Sequence, residues 1–132
     1  LKRVGIQWIV KDVKHSIDFY SNQLGFSIDF VGEGPKFAIL SRDNFSVMLR
    51  KLDADNYVRP NRIPFIEAGW HTNGKEAWDA YIWVDNADRL FDEFKAKGVS
   101  IIKPIENTDY GNRDFEIEDP DGYILCFGHH NS

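Results

Sequence analysis

One pattern occurs twice in this chain, and it limits the possible folds more than any other feature. In the first copy Val4 to Val10 is a short apolar run with β-branched residues, which reads as a strand. Asp12 then opens a helical stretch in which Val13, Ile17, Tyr20 and Leu24 recur at helical spacing, with Phe19 beside them. Gly25 stands where a helix would end in a left-handed turn. Three strands follow, Phe26 to Val31, Lys36 to Leu40 and Phe45 to Lys51, separated by turns at Gly32, at Gly34-Pro35 and over Ser41-Arg42-Asp43-Asn44.

The second copy repeats that order. Trp78 to Val84 reads as a strand, and Ala87, Leu90, Phe91 and Phe94 share a helical face that ends at Gly98. Val99 to Ile102 is a strand that Pro104 breaks, and Asn107 to Asn112 is a turn-rich loop. Arg113 to Glu118 alternates charged and apolar residues, as a half-exposed strand does. Asp119-Pro120-Asp121-Gly122 is a turn, and Tyr123 to Gly128 is the last strand. Val10-Lys11-Asp12 aligns with Val84-Asp85-Asn86 at an offset of 74, and Gly25 aligns with Gly98 at 73. Asp43-Asn44-Phe45 aligns with Asp121-Gly122-Tyr123 at 78. The expectation is an α+β single domain over 1–132, built from two β-α-β-β-β modules at 3–51 and 78–128. The loop 52–77 between them has no clear period and carries Tyr57, Phe65, Trp70 and His71. Loops of that length are often functional, so it is expected either to cover a ligand or to cover a core edge.

Charge and cysteine usage narrow the function classes. The formal net charge of −5 argues against nucleic-acid binding, which needs basic patches. Cys126 is the one cysteine, so neither an internal disulfide nor a cysteine-based zinc site is expected. Leu1 to Val10 lacks the apolar stretch of a signal peptide, and no run approaches the length of a membrane helix. A cytoplasmic protein without membrane partners is the expectation. Aromatic residues make up 14% of the chain, enough for a packed core with some to spare for a pocket.

Two stretches carry a family resemblance. Val10-Lys11-Asp12-Val13 through Ser16-Ile17-Asp18-Phe19-Tyr20 and Leu24-Gly25-Phe26 resembles the opening of the vicinal-oxygen-chelate superfamily. That group holds glyoxalases, dioxygenases and the bleomycin and fosfomycin resistance proteins. Tyr110-Gly111, Arg113 to Phe115 and Asp119-Pro120-Asp121-Gly122-Tyr123 are similar to the end of its second module. The resemblance implies a curved mixed sheet around a cleft. In metal-dependent members a His or Gln and a Glu from each module bind the ion. The corresponding positions here are Gly5, Met48, Asp79 and Cys126. One carboxylate and one thiol are too few for a stable site, even with Gln7 or His71 as supplements to Asp79.

Phe37 to Asp43 and the Trp78 to Val84 strand are most similar to the bleomycin resistance proteins. The resemblance then implies a homodimer that sequesters an aromatic or cationic small molecule, with no cofactor, no metal and no catalytic residue. An altered-metal lyase, isomerase or dioxygenase is the alternative. The candidate ligand-binding residues are Gln7, Met48, Arg50, Trp70, Asp79, Tyr81, Trp83, Tyr110 and Cys126. Tyr81 and Trp83 are placed to stack on a planar ligand, Arg50 and Asp79 to pair, and Cys126 to be a buried, inert thiol. His129 and His130 are expected at the solvent-exposed terminus.

Overall fold

A computed structural model describes residues 1–53, 58–73 and 77–131. Tyr57 lies outside the described residues. The chain divides into two compact units, Leu1–Tyr57 and Val58–Ser132, each with its own four-stranded sheet.

In the first unit β1 (Val4–Val10) is followed by α1 (Val13–Asp18), then β2 (Ser27–Val31), β3 (Phe37–Arg42) and β4 (Phe45–Lys51). The order across the sheet is β1-β4-β3-β2, with β1 parallel to β4 and the other pairs antiparallel. Asp12 caps α1 by accepting a hydrogen bond from the His15 amide. The helix then widens into a π turn over Phe19–Gln23, in which the Leu24 amide reaches back to the Phe19 carbonyl. That extra residue explains how the neighbours Phe19 and Tyr20 are both buried. Trp8, Val10, Leu40, Val47 and Leu49 supply the sheet side of this core.

The second unit begins with the short helix α2 (Arg62–Glu67) and then repeats the design. Its elements are β5 (Ala80–Trp83), α3 (Ala87–Ala96), β6 (Ile101–Asn107), β7 (Asn112–Glu118) and β8 (Ile124–His130), with the sheet order β5-β8-β7-β6. Its core is aromatic: Phe94 meets Phe115 and Phe127 edge-on, and the last two stack at 5.5 Å. Among the described residues no helix is long and apolar enough to cross a membrane, which says nothing of strands.

Four local expectations are corrected. Pro104 does not break its strand, because β6 lies at the sheet edge and its register shifts between Lys103 and Glu106, where a missing amide is tolerated. The 52–77 connection is not featureless: α2 and a 3-10 turn over Trp70–Asn73 lie within it. Two of the charged residues of β7, Asp114 and Glu116, are buried rather than half-exposed, whereas Arg113 is half-buried and Glu118 exposed. His129 is not a free terminal side chain, because its Nδ1 accepts the Ala87 amide at the start of α3.

Candidate functional site

Each sheet turns one face to its helix, and the candidates Gln7, Met48, Arg50, Tyr81, Trp83 and Cys126 lie on the other. Residues directly opposite one another in a ladder share a face. In the first unit the register Gln7–Met48–Ile39–Phe30 therefore defines one row, and Ile9–Arg50–Phe37 the next. Gln7 and Arg50 are exposed and Met48 is half-buried. A Cβ built on Gly5 would sit 2.8 Å from the Met48 terminal methyl. The thioether therefore covers the place where a side chain from residue 5 would project. This half offers an amide, a thioether and apolar surface, and nothing that holds a hard or borderline metal ion.

In the second unit the matching rows are Tyr81–Cys126–Glu116–Lys103 and Trp83–Gly128–Asp114–Glu106. The chemistry is different. Asp114 is fully buried, and it receives hydrogen bonds from the Tyr81 and Tyr110 hydroxyls on Oδ2 and from the Lys103 ammonium on Oδ1. Asn112 donates to the Tyr81 hydroxyl at 2.9 Å. Burial, reinforced by the Asp114 charge, pushes both phenols well above the ordinary tyrosine value, although the Asn112 bond acts against this at Tyr81. Burial alone would lower the Lys103 ammonium. The bond and charge of Asp114, with Glu116 behind it, outweigh that and raise it. Gly128 leaves room for the cluster: a Cβ there would overlap the Tyr81 hydroxyl and come within 2.6 Å of the Asp114 Cβ.

The two metal-position residues of this unit are occupied in other ways. The Asp79 side chain is 2% exposed, and its Oδ2 receives both the Arg59 guanidinium at 3.0 Å and the Ile124 amide at 2.8 Å. Arg59, from the connection before α2, is a cation on this carboxylate. Arg59 also donates to the Ala77 carbonyl, which ties that connection to the start of β5. Cys126 is fully buried, and burial with the charges of Asp114 and Glu116 pushes its thiol up, so it stays protonated. A neutral thiol and a carboxylate already held by a guanidinium do not fit a metal ion. Among the described residues no group of three or more His, Cys, Asp or Glu is gathered to hold one.

The aromatic candidates do come together. Trp83 stands 4.9 Å from Tyr81, Tyr81 5.0 Å from Trp78, and Trp78 6.1 Å from Tyr110, as one continuous chain of rings. Trp83 is 65% exposed and Tyr110 50%. Trp70 is not part of it and packs edge-on against Phe65 instead. A cleft of about 800 Å³ has Trp78 and Tyr110 in its wall, with Arg62, His71 and residues of the β6–β7 hairpin.

A family model for the "Glyoxalase/Bleomycin resistance protein/Dioxygenase superfamily" matches residues 4–127, spanning both units. The chain belongs to that superfamily. Solved structures agree on the fold. TioX from Micromonospora sp. ML1 is 19% identical, with a TM-score of 0.72 over 97% of this chain and 98% of its own. A glyoxalase/bleomycin resistance protein/dioxygenase from Alicyclobacillus acidocaldarius is 16% identical, with a TM-score of 0.73 over 98% and 92%. A superfamily member from Sphaerobacter thermophilus DSM 20745 is 21% identical, with a TM-score of 0.65 over 98% of both chains. Comparison with curated proteins returned no match. The two β-α-β-β-β modules and the α+β class are those of the superfamily.

Lys103, Asn112, Asp114, Glu116, Trp78 and Arg59 escaped the reading of the sequence. For the β7 residues a signal existed. The alternation that puts Phe115 and Ile117 in the core puts Asp114 and Glu116 on the same face as Cys126. Arg59 carries no such signal, because its role depends on a long-range fold contact.

Proposed function

We propose that this superfamily member binds a small molecule and sequesters it, without metal chemistry, in the manner of a bleomycin-resistance-type protein. The observation that carries this reading is the chain of rings Trp83–Tyr81–Trp78–Tyr110, with an exposed tryptophan at one end and a cleft at the other. Flat aromatic surface of that extent suits a planar ligand, and pockets for organic molecules combine such surface with a few fixed polar groups. The donor chemistry at Gly5, Met48, Asp79 and Cys126 supports the same reading. Gln7, Met48 and Arg50 are proposed as ligand contacts on the first unit's own sheet face. A homodimer fits the exposed residues of the edge strand β2, where Ile28, Phe30 and Val31 are each at least 46% exposed.

Calorimetric titration with a panel of planar aromatic compounds, bleomycin among them, tests this. Binding at micromolar affinity that falls about tenfold in Trp83→Ala is expected, one lost stacking contact being of that size. Elemental analysis of tag-free protein runs beside it. Stoichiometric metal that disappears in Asp79→Ala would overturn the reading and establish the altered-metal enzyme. Light scattering that finds only monomer would remove the dimer.

A further inference from the structure

The four rings of the second unit touch in sequence, and the two phenols among them share one carboxylate oxygen. Tyr81 donates to Asp114 Oδ2 at 3.1 Å, and Tyr110 donates to that same atom. Lys103 bonds the other oxygen, Oδ1, which leaves Oδ2 to the phenols. Asn112 donates to the Tyr81 hydroxyl oxygen at 2.9 Å, so the phenol's own hydrogen is directed to Asp114. Stacking on a ligand requires none of this, because stacking uses ring faces and not hydroxyls.

Indole and phenol have a second property: each gives up a single electron readily. An oxidised phenol is strongly acidic, so its proton must leave with the electron. Burial keeps both phenols protonated, which means that the proton needs a base within hydrogen-bond reach. Asp114 is that base for both. Trp83, 65% exposed, lies 4.9 Å from Tyr81. Trp78 joins Tyr81 to Tyr110 at 5.0 and 6.1 Å, and Tyr110 stands in the cleft wall.

We propose that this ring chain is a one-electron relay, which carries an oxidising equivalent from Trp83 at the surface to Tyr110 at the cleft, with Asp114 as the shared proton store. A diffusible oxidant of the peroxyl-radical class takes one electron from Trp83 and leaves as its anion. Tyr81 refills the indole: its O–H bond breaks, the proton passes to Asp114 Oδ2, and a neutral phenoxyl remains. An electron from Tyr110 then crosses by way of Trp78 to Tyr81, while Asp114 returns its proton to Tyr81 and accepts the one from Tyr110. A reductant of the hydroquinone class in the cleft closes the cycle. It gives one electron to the Tyr110 phenoxyl, Asp114 gives back the proton, and the reductant releases a proton of its own to solvent. The steps from Trp83 to Tyr110 need no bound molecule, so the relay stands or falls apart from the small-molecule-binding reading.

Pulse radiolysis of the full chain with the azidyl radical, which oxidises accessible indoles, tests it. The tryptophan-radical absorption is expected to give way to the tyrosine-radical absorption in a first-order step. Its rate should be independent of protein concentration and lower in heavy water, because a proton moves. Trp83→Phe should remove most of this step, the rest entering at the less exposed Trp78, and Trp83→Phe with Trp78→Phe should remove all of it. Trp70 is the internal reference: it is 62% exposed and packs on Phe65, so its radical should persist in the double variant. Asp114→Asn should abolish the step. A wild type without the step, a step that survives the double variant or Asp114→Asn, or a rate unchanged in heavy water would overturn the relay. The heavy-water comparison uses the wild type, so a poorly folding Asp114→Asn does not protect the idea. A working relay in a protein that binds no aromatic compound would count against the binding reading alone.

Discussion

The two units have the same elements in the same order, yet their second sheet faces have little in common. Register pairs the positions across the copies. Phe30, Ile39, Met48 and Gln7 form the first unit's row, and Lys103, Glu116, Cys126 and Tyr81 form the second's. In the adjoining row Phe37 and Arg50 stand where the second unit has Asp114 and Gly128. The helix-facing sides, by contrast, are apolar in both: Leu40, Val47 and Leu49 in one, Phe115, Ile117, Leu125 and Phe127 in the other. A β-α-β-β-β module therefore needs only one of its faces to fold. The other is open to rewriting, and here one copy became apolar surface and the other a hydrogen-bonded carboxylate cluster under a wall of rings. The fold is carried on one side of the strands, and the chemistry that differs between the copies lies on the other.

The largest effect should come from removing the centre of the polar face. Asp114→Ala leaves the Lys103 ammonium and two phenols without their shared acceptor, a fully buried carboxylate. Breaking a buried charged network in this way costs about 3–5 kcal/mol. Phe37→Ala, at the matching position of the first unit, removes a half-buried ring and should cost about 1–2 kcal/mol. Chemical denaturation of both variants measures the contrast. Equal losses would mean that the two faces contribute alike and that the polar cluster is not a cooperative unit.

A smaller effect distinguishes the faces by pH. In the second unit the Cys126 thiol and the Tyr81 and Tyr110 phenols are all raised above their ordinary values of 9.0 and 10.0, chiefly by burial. The folded chain therefore holds these protons more firmly than the unfolded chain does. Stability is complete below the ordinary thiol value and falls as pH rises from about 9 toward the raised values. The raised Lys103 acts in the same direction, its contribution fading only as pH climbs past the ordinary ammonium value of 10.5. Thermal unfolding followed from pH 7 to 11 should show this decline, and Cys126→Ser with Tyr81→Phe should flatten it. Absorbance at 295 nm provides an independent check, since Tyr81 and Tyr110 should ionise only together with unfolding. Normal tyrosinate formation in the folded protein would contradict the cluster as described.

Much of this contrast was legible in the sequence, and the part that was not has a physical cause. Local signals placed the elements well: β1 and β4 run over the residues their apolar pattern marks, and Gly25 and Gly98 stand after the helices at positive φ. The turn at Asp119 also has local causes, its carboxylate accepting the Asp121 and Tyr123 amides. The site was only partly visible. Tyr81 and Trp83 could be placed on one face because strand alternation is local, whereas their joining to Trp78 and Tyr110 depends on chain segments about thirty residues apart coming together. Arg59 was out of reach for the same reason. Nothing near residue 59 announces that its guanidinium will hold Asp79, the carboxylate at a metal-ligand position, twenty residues on.

The smallest effect tests whether the units also differ at their rims. Arg113 grips Asp88 with a fork: Nε lies 3.0 and 2.8 Å from the two carboxylate oxygens, and Nη2 lies 2.8 Å from Oδ1. That bond is the main cause holding the Asp88 carboxyl below its ordinary value of 3.8; burial opposes it, and the Arg113 charge adds to it. The matching residues of the first unit, by the helix offset and the β3–β4 register, are Lys14 and Lys36, which cannot pair with each other. Lys14 meets Asp18 one helical turn away, at 3.7 Å and well exposed. Asp88→Asn should therefore lower the melting temperature slightly, and Asp18→Asn by less still, because solvent screens a pair as exposed as Lys14–Asp18. The sign with pH is fixed. A depressed carboxyl stabilises above its unfolded value and stops doing so as pH falls through its folded value, so wild type and Asp88→Asn should converge once the pH is well below 3.8. High salt should narrow the gap at neutral pH, though the forked geometry resists screening better than the single contact at Lys14. A gap that persists undiminished into strong acid would show that the substituted side chain disturbs the start of α3, where the His129 and Asn86 caps act, rather than an ion pair.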